Sequence, residues 1–133
     1  MEKKQEIIIA VDFDGTCVTH TYPQIGRVIG AEKVLRRLVD EGYKLILWTM
    51  RSGESLSDAV NWFSDKGIRL YGIQTNPEQA SWTSSPKAHA HLYIDDAALG
   101  APLKKGLPGE RPYIDWDKVS EFFWPKEKED GAN

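Results

Sequence analysis

The stretch Ile7 to Thr16, IIIAVDFDGT, decides the fold. Three isoleucines, an alanine and a valine run together and stop at two aspartates one residue apart, Asp12 and Asp14, with Gly15 directly after. Consecutive apolar residues that halt at a turn signal, instead of recurring over three helical turns, predict a buried strand over residues 6–13. A buried strand ending in two carboxylates needs a partner, a metal or a chemical task for them, because an unpaired buried charge is costly. Open α/β sheets bind their ligands at the carboxyl ends of their strands, and that is where this one presents its acids.

Outward from this strand the chain alternates. Residues 17–30, with Pro23 and glycines, read as an irregular flap. From Ala31, Val34, Leu35, Leu38 and Val39 share one face of a helix that stops at Gly42. The run YKLILWT at 43–49 predicts a second strand. Ser55 is then a plausible N-cap for a helix whose Leu56, Ala59, Val60 and Phe63 line one side and which ends at Gly67. IRLYGI at 68–73 predicts a third strand, residues 74–86 a polar loop, and HLYI at 91–94 a fourth strand that again ends in acids, Asp95 and Asp96. Beyond a stretch rich in glycine and proline, residues 113–116 predict an edge strand and 117–123 a short helix. Strands separated by helices imply right-handed crossovers and a mainly parallel sheet covered on both faces. The expected organisation is one domain over 1–125 and a disordered tail over 126–133.

Composition narrows the function classes. The 133 residues suit a single domain with a real core. Lys and Arg number 17 against 20 Asp and Glu, a formal net charge of -3, so nucleic acid and anionic membrane are disfavoured partners. Cys17 is the one cysteine, which rules out an intramolecular disulfide and fits a reducing compartment. The apolar run after MEKKQE is too short for a signal segment, and no stretch has the length of a membrane span. A cytoplasmic location is expected.

Four features therefore fall where successive strands end or begin: Asp12 with Asp14, Thr49, Lys87, and Asp95 with Asp96. In order and surroundings they resemble the four motifs of the haloacid dehalogenase superfamily, over roughly residues 6–100. That family's first motif is a strand followed by DxDx(T/V), matched by Asp12, Asp14 and Thr16. A Thr or Ser ends its next strand, matched by Thr49; a Lys follows, matched by Lys87; an acidic pair after an apolar strand completes it, matched by Asp95 and Asp96. The resemblance implies an α/β, Rossmann-like three-layer domain with strand order 5-4-1-2-3, in which the first and fourth strands adjoin at a topological switch point.

What the resemblance implies for chemistry is Mg²⁺-dependent hydrolysis of a phosphate monoester, from a small phosphorylated metabolite, through an aspartyl phosphate. Asp12 would be the nucleophile and a metal ligand. Asp14 would offer its backbone carbonyl to the metal and its side chain as acid and base. Thr49 would hydrogen-bond the phosphoryl oxygens and Lys87 would neutralise charge. Asp96 would bind the metal directly, and Asp95 directly or through water. Phe13, Gly15 and Thr16 would form a phosphate cradle from backbone N–H groups, with Gly15 letting the chain turn. Clustered carboxylates repel one another and an anionic substrate, and carboxylate oxygens favour hard Mg²⁺. Family members that dehalogenate, and the transport ATPases, lack an aspartate in the place of Asp14, which favours phosphate esters. Neither the flap nor the 74–86 loop is long enough for a cap domain, so hydrolysis is favoured over phosphomutase chemistry. An open site also leaves room for a second copy of the chain to complete it.

Other residues carry alternatives. Arg51 is a candidate to grip a substrate carboxylate or second phosphate, or is a surface arginine. His20 and Tyr22 lie in the flap, as substrate contacts or plain loop residues. His89 and His91 alternate on one strand face but lack the further ligands of a zinc site. Cys17 has no histidine spaced to activate it as a nucleophile. Trp82, in a polar loop, is a candidate for contact with substrate or a neighbouring subunit, while Trp48, Trp62, Trp116 and Trp124 read as packing. Two competing functions use the same scaffold: a non-catalytic phospho-ligand binding or regulatory protein, and a phosphatase for nucleic-acid ends or phosphoproteins.

Overall fold

A computed structural model describes residues 7–127. Strand β1 (Ile8–Val11) is buried along its length and sits inside a four-stranded parallel sheet ordered β3-β2-β1-β4, with β2 (Lys44–Leu47), β3 (Gly72–Ile73) and β4 (Leu92–Ile94). The register sets Val11 beside Leu47 on one side and Ile94 on the other. The acids that follow β1 and β4 therefore leave the sheet next to each other, and the Asp12 N–H holds the Ile94 carbonyl at 2.9 Å.

The sheet is joined by the helices α1 (Ala31–Asp40), α2 (Gly53–Asp65) and α3 (Trp116–Phe123). Each turns a buried stripe inward, Ala31, Leu35 and Leu38 from α1, Ala59, Trp62 and Phe63 from α2, Trp116 and Val119 from α3. Helix α2 starts earlier than expected, with Ser52 rather than Ser55 at the N-cap. Ser55 lies in the first turn and donates its hydroxyl to the Ser52 carbonyl at 2.8 Å. The Asp115 carboxylate caps α3 by accepting from the Asp117 and Lys118 N–H groups.

Among the described residues the expected three layers are two. Ile9, Val11, Leu45 and Leu47 point to the side that holds α1, α2 and α3, in one cluster with Leu35, Leu38, Trp62, Phe63 and Val119. Alternation along the strands sends Ile8, Ala10 and Ile46 to the opposite face, where they meet Ala88, Ala90, Trp48 and Tyr71 and no helix. The segment between β3 and β4 is polar and carries prolines, so it forms only a 3₁₀ turn at Gln79–Ser81. The Gln79 side chain pins that loop, donating to the Lys87 carbonyl at 2.7 Å and accepting from the His89 N–H at 2.7 Å.

The five-strand order is likewise not formed. Tyr113–Ile114 (β6) pairs antiparallel with Leu103–Lys104 (β5) in a separate two-stranded sheet, and the outer edge of β4 has no strand beside it among the described residues. The Ile114 N–H reaches the Gly15 carbonyl at 3.1 Å, which draws this segment to the turn after β1 before the chain enters α3. The third strand is shorter than residues 68–73. With Gly72 opposite Ile46, Ile68 and Arg69 fall before the start of β2 and have nothing to pair with. At the other end Glu127 is ion-paired with Arg37, and residues 128–133 of the expected tail lie outside the described residues. No helix among the described residues is long and apolar enough to cross a membrane.

Candidate functional site

Asp12, Asp95 and Asp96 bring carboxylate oxygens within 4.8 Å of one another, and they are the one such group of possible metal ligands among the described residues. Thr16 ties the set together. Its hydroxyl lies 2.9 Å from Asp12 Oδ2 and 3.2 Å from Asp96 Oδ1, and its oxygen accepts from the Asp96 N–H at 3.1 Å. The Thr16 carbonyl in turn accepts from Trp116 Nε1 at 2.7 Å, so this buried tryptophan positions the motif as well as filling the core. Gly15 turns with φ +81°, and a Cβ there would fall 2.0 Å from His20 Nε2 and 2.7 Å from Asp96 Oδ2. That clearance admits His20, whose Nε2 meets Asp96 Oδ2 at 2.8 Å. Both Asp96 oxygens thus have a neighbour, and the flap residue His20 is part of the cluster's surroundings.

The cluster is a set of like charges in a partly desolvated place. Burial first, then the contact with Asp96 and the charge of Asp95, raise the Asp12 carboxyl from its ordinary 3.8 to about 8. A carboxyl whose folded pKa lies above its unfolded one holds its proton more tightly when folded. Its contribution to stability is therefore full below pH 4 and is lost as pH rises through about 8. The melting temperature in a chelator should fall across that window, and Asp12→Asn should flatten the fall. An equal slope in wild type and variant would contradict the assignment. A divalent cation held by these carboxylates would compete with the same proton, and its apparent affinity should then rise over the same range.

Asp14 stands apart from this cluster. Arg51, 1% exposed, grips it as a fork, Nε to Oδ2 and Nη2 to Oδ1, each at 2.8 Å. The remaining Arg51 donors go to the carbonyls of Pro23, Gln24 and Ser55 at 2.7–3.0 Å. All five guanidinium N–H groups are spent, so the expectation that Arg51 binds a substrate anion, or lies on the surface, is corrected: its charge is consumed inside the protein. The Asp14 partner raises the Arg51 pKa further above its ordinary value.

The phosphate cradle is also corrected in part. The Gly15 N–H donates to the Val18 carbonyl at 2.7 Å and the Thr16 N–H to the Phe13 carbonyl at 3.1 Å, so neither points outward unpaired. The Phe13 side chain is core, packed against Trp62 and Phe63. Thr49 does end the second strand region as expected. Its Oγ1 accepts from the Arg51 N–H at 3.1 Å, which leaves the hydroxyl proton to be donated elsewhere. The residue that sequence reasoning missed is Gln74, at φ 66°, whose side chain accepts from the Thr49 N–H at 2.9 Å and donates to the Thr49 carbonyl at 2.6 Å.

Lys87 is exposed, with Nζ 5.5 Å from the Tyr93 ring centroid. It shares with Trp48, Tyr93 and Asp95 a cavity of about 320 Å³ at the end of β4, beside the carboxylates. His91 Nδ1 accepts from the Ile8 N–H at 2.9 Å, which ties its ring to the start of β1, and that ring packs on His89 at 5.2 Å. Cys17 is buried, and burial together with the Asp12 charge holds its thiol protonated, well above the ordinary range.

No protein-family model matches the chain, and no curated protein does. A solved structure does: a conserved protein coded by a locus of Bacteroides thetaiotaomicron, 38% identical, with a TM-score of 0.72 over 90% of this chain and 91% of that one.

Proposed function

The chain belongs to one family with that conserved Bacteroides thetaiotaomicron protein, and we propose from its own carboxylates that it is a Mg²⁺-dependent phosphatase for phosphate monoesters. The observation that carries the proposal is the convergence of Asp12, Asp95 and Asp96 from two neighbouring strand ends, with Thr49 ending the next strand. The donor set is all carboxylate oxygen, which suits a hard divalent ion, and three acids held so close leave mutual repulsion that such an ion relieves. Asp12, Asp95, Asp96 and the Asp14 backbone carbonyl would hold Mg²⁺, which would offset the negative charge of the carboxylates and of the phosphoryl group.

The protein's own groups divide the rest. An Asp12 oxygen attacks phosphorus as the bond from phosphorus to the ester oxygen breaks, and the departing oxygen takes a proton that Asp14 has first taken up from water on leaving the Arg51 fork, since a carboxylate held by both oxygens has none to give. Water then attacks the phosphorus of the aspartyl phosphate, its proton passing to Asp14, and inorganic phosphate leaves with Asp12 restored. Thr49 donates its spare hydroxyl proton to a phosphoryl oxygen. Lys87 supplies positive charge from the cavity mouth. Because Arg51 holds both Asp14 oxygens, proton transfer requires one of those two contacts to open.

That same fork favours one second reading, a metal-dependent phospho-ligand binding protein in which Asp14 is structural. A panel of phosphate monoesters separates the two. The phosphatase should release inorganic phosphate with Mg²⁺, lose that activity in EDTA and regain it when Mg²⁺ is restored. Saturable Mg²⁺-dependent binding with no release across the panel would instead establish the binding protein.

A further inference from the structure

Of the two sheet faces, the one that no helix among the described residues covers is the one that leads away from the carboxylates. The cavity of about 320 Å³ beside Asp95 adjoins a second of about 360 Å³ lined by Gln79, Trp82, His89 and Tyr93, and the two share Lys87 and Tyr93 as their common wall. Each lies at the lower end of the size range of small-molecule sites. The walls of the trough are aromatic: Trp48 near Asp95, Tyr93 in the middle and Trp82 at the far end. Trp82 is 65% exposed and Tyr93 41%, whereas Trp62 and Trp116 are buried in the core. Trp82 meets His89 nearly at right angles, 81° with centroids 5.6 Å apart, an edge contact that leaves ring area open. Tyr93 is fixed by its hydroxyl, which donates to the Ala88 carbonyl at 2.6 Å.

An aromatic row with one lysine at its centre suits a flat, unsaturated ring, which stacks on side chains that have few rotatable bonds to immobilise. We infer that this trough holds the leaving group, and that the favoured substrates are phosphate monoesters whose leaving group carries a planar ring. The inference rests on the phosphatase reading for the position of the phosphoryl group, and the ring site itself stands on the cavities and their walls.

The test uses pairs matched at the leaving oxygen. Adenosine 5′-monophosphate and ribose 5-phosphate both depart through a ribose 5′-hydroxyl and differ by the base; 2-phenylethyl phosphate and butyl phosphate both depart through a primary alcohol. The ring-bearing member of each pair should have the higher kcat/KM. Trp82→Ala should cut the ratio of adenosine 5′-monophosphate to ribose 5-phosphate by about tenfold, the size of loss that removal of a stacking aromatic produces. Equal rates within both pairs, or an unchanged ratio in the variant, would overturn the inference. Absence of phosphate release from all four esters would overturn the phosphatase reading instead. In that event calorimetric binding of adenosine 5′-monophosphate against ribose 5-phosphate decides the ring site: preference for the former that Trp82→Ala removes supports it, and equal binding refutes it.

Discussion

Asp12→Asn is expected to lower Mg²⁺-dependent phosphate release by about 10⁴-fold or more, the scale on which loss of an attacking group acts. The substitution keeps the size and shape of the side chain and removes the negative oxygen that forms the bond to phosphorus. It should not cost the fold. Asp12 is the group whose ionisation its own surroundings resist, through burial and the neighbouring Asp96 and Asp95. A neutral amide therefore relieves repulsion in the metal-free protein, and the Thr16 hydroxyl still finds an oxygen to serve. The expected pair of results is a lost activity with a melting temperature, measured in EDTA near pH 8, that is unchanged or higher. Activity within tenfold of wild type would remove Asp12 from the role of nucleophile, whatever the metal dependence.

What the sequence made legible here follows a physical division. Local patterns identified β1, β2, β4 and the helical stripes, because a buried strand or an amphipathic helix is written in consecutive residues. The meeting of Asp12 with Asp95 and Asp96 was legible through motif order, since parallel neighbours deliver their ends to one place. The coverage of the second face was not. Nothing in Ile8, Ala10 or Ile46 says whether a helix or a loop will pack on them, and the polar segment between β3 and β4 was compatible with an expected third layer until its packing was seen. Partners remote in sequence were also hidden. Arg51 reads as a cation near a strand end, yet it works as an internal cross-link to Asp14, 37 residues away. Gln74 carries no motif at all and acts only through the shape of its turn. His20 had one trace in the sequence, the glycine at 15 that makes space for its ring.

Beyond the contacts that Cys17 and Val18 make with the turn after β1, the flap is tied to the site through two motif acids. His20 reaches Asp96, while the Pro23 and Gln24 carbonyls accept from the Arg51 guanidinium that holds Asp14. The second tie also spans to the first turn of α2 through the Ser55 carbonyl. One side chain thus joins the turn after β1, the flap and the start of α2. A surface ion pair in that position would contribute little, but this guanidinium is shut away from water and its five donors are all matched.

Arg51→Ala should accordingly destabilise the protein by about 3–5 kcal/mol, because it leaves the Asp14 charge and three carbonyls without their donor in a partly buried place. In thermal denaturation that corresponds to a fall on the order of 10–20 °C. Arg51→Lys should recover only a fraction, since an ammonium has no planar fork for the carboxylate and a different reach to the carbonyls. Asp14→Asn, which keeps an acceptor for the guanidinium, should cost less than Arg51→Ala. Combining Arg51→Ala with Asp14→Asn should be less than additive, because removal of the first partner already destroys the contact that the second would lose. Urea unfolding of the wild type and the four variants checks the set. A cost below about 1 kcal/mol for Arg51→Ala would place the pair among ordinary surface contacts. It would also free Asp14 to act as acid and base without the opening step that the fork otherwise demands.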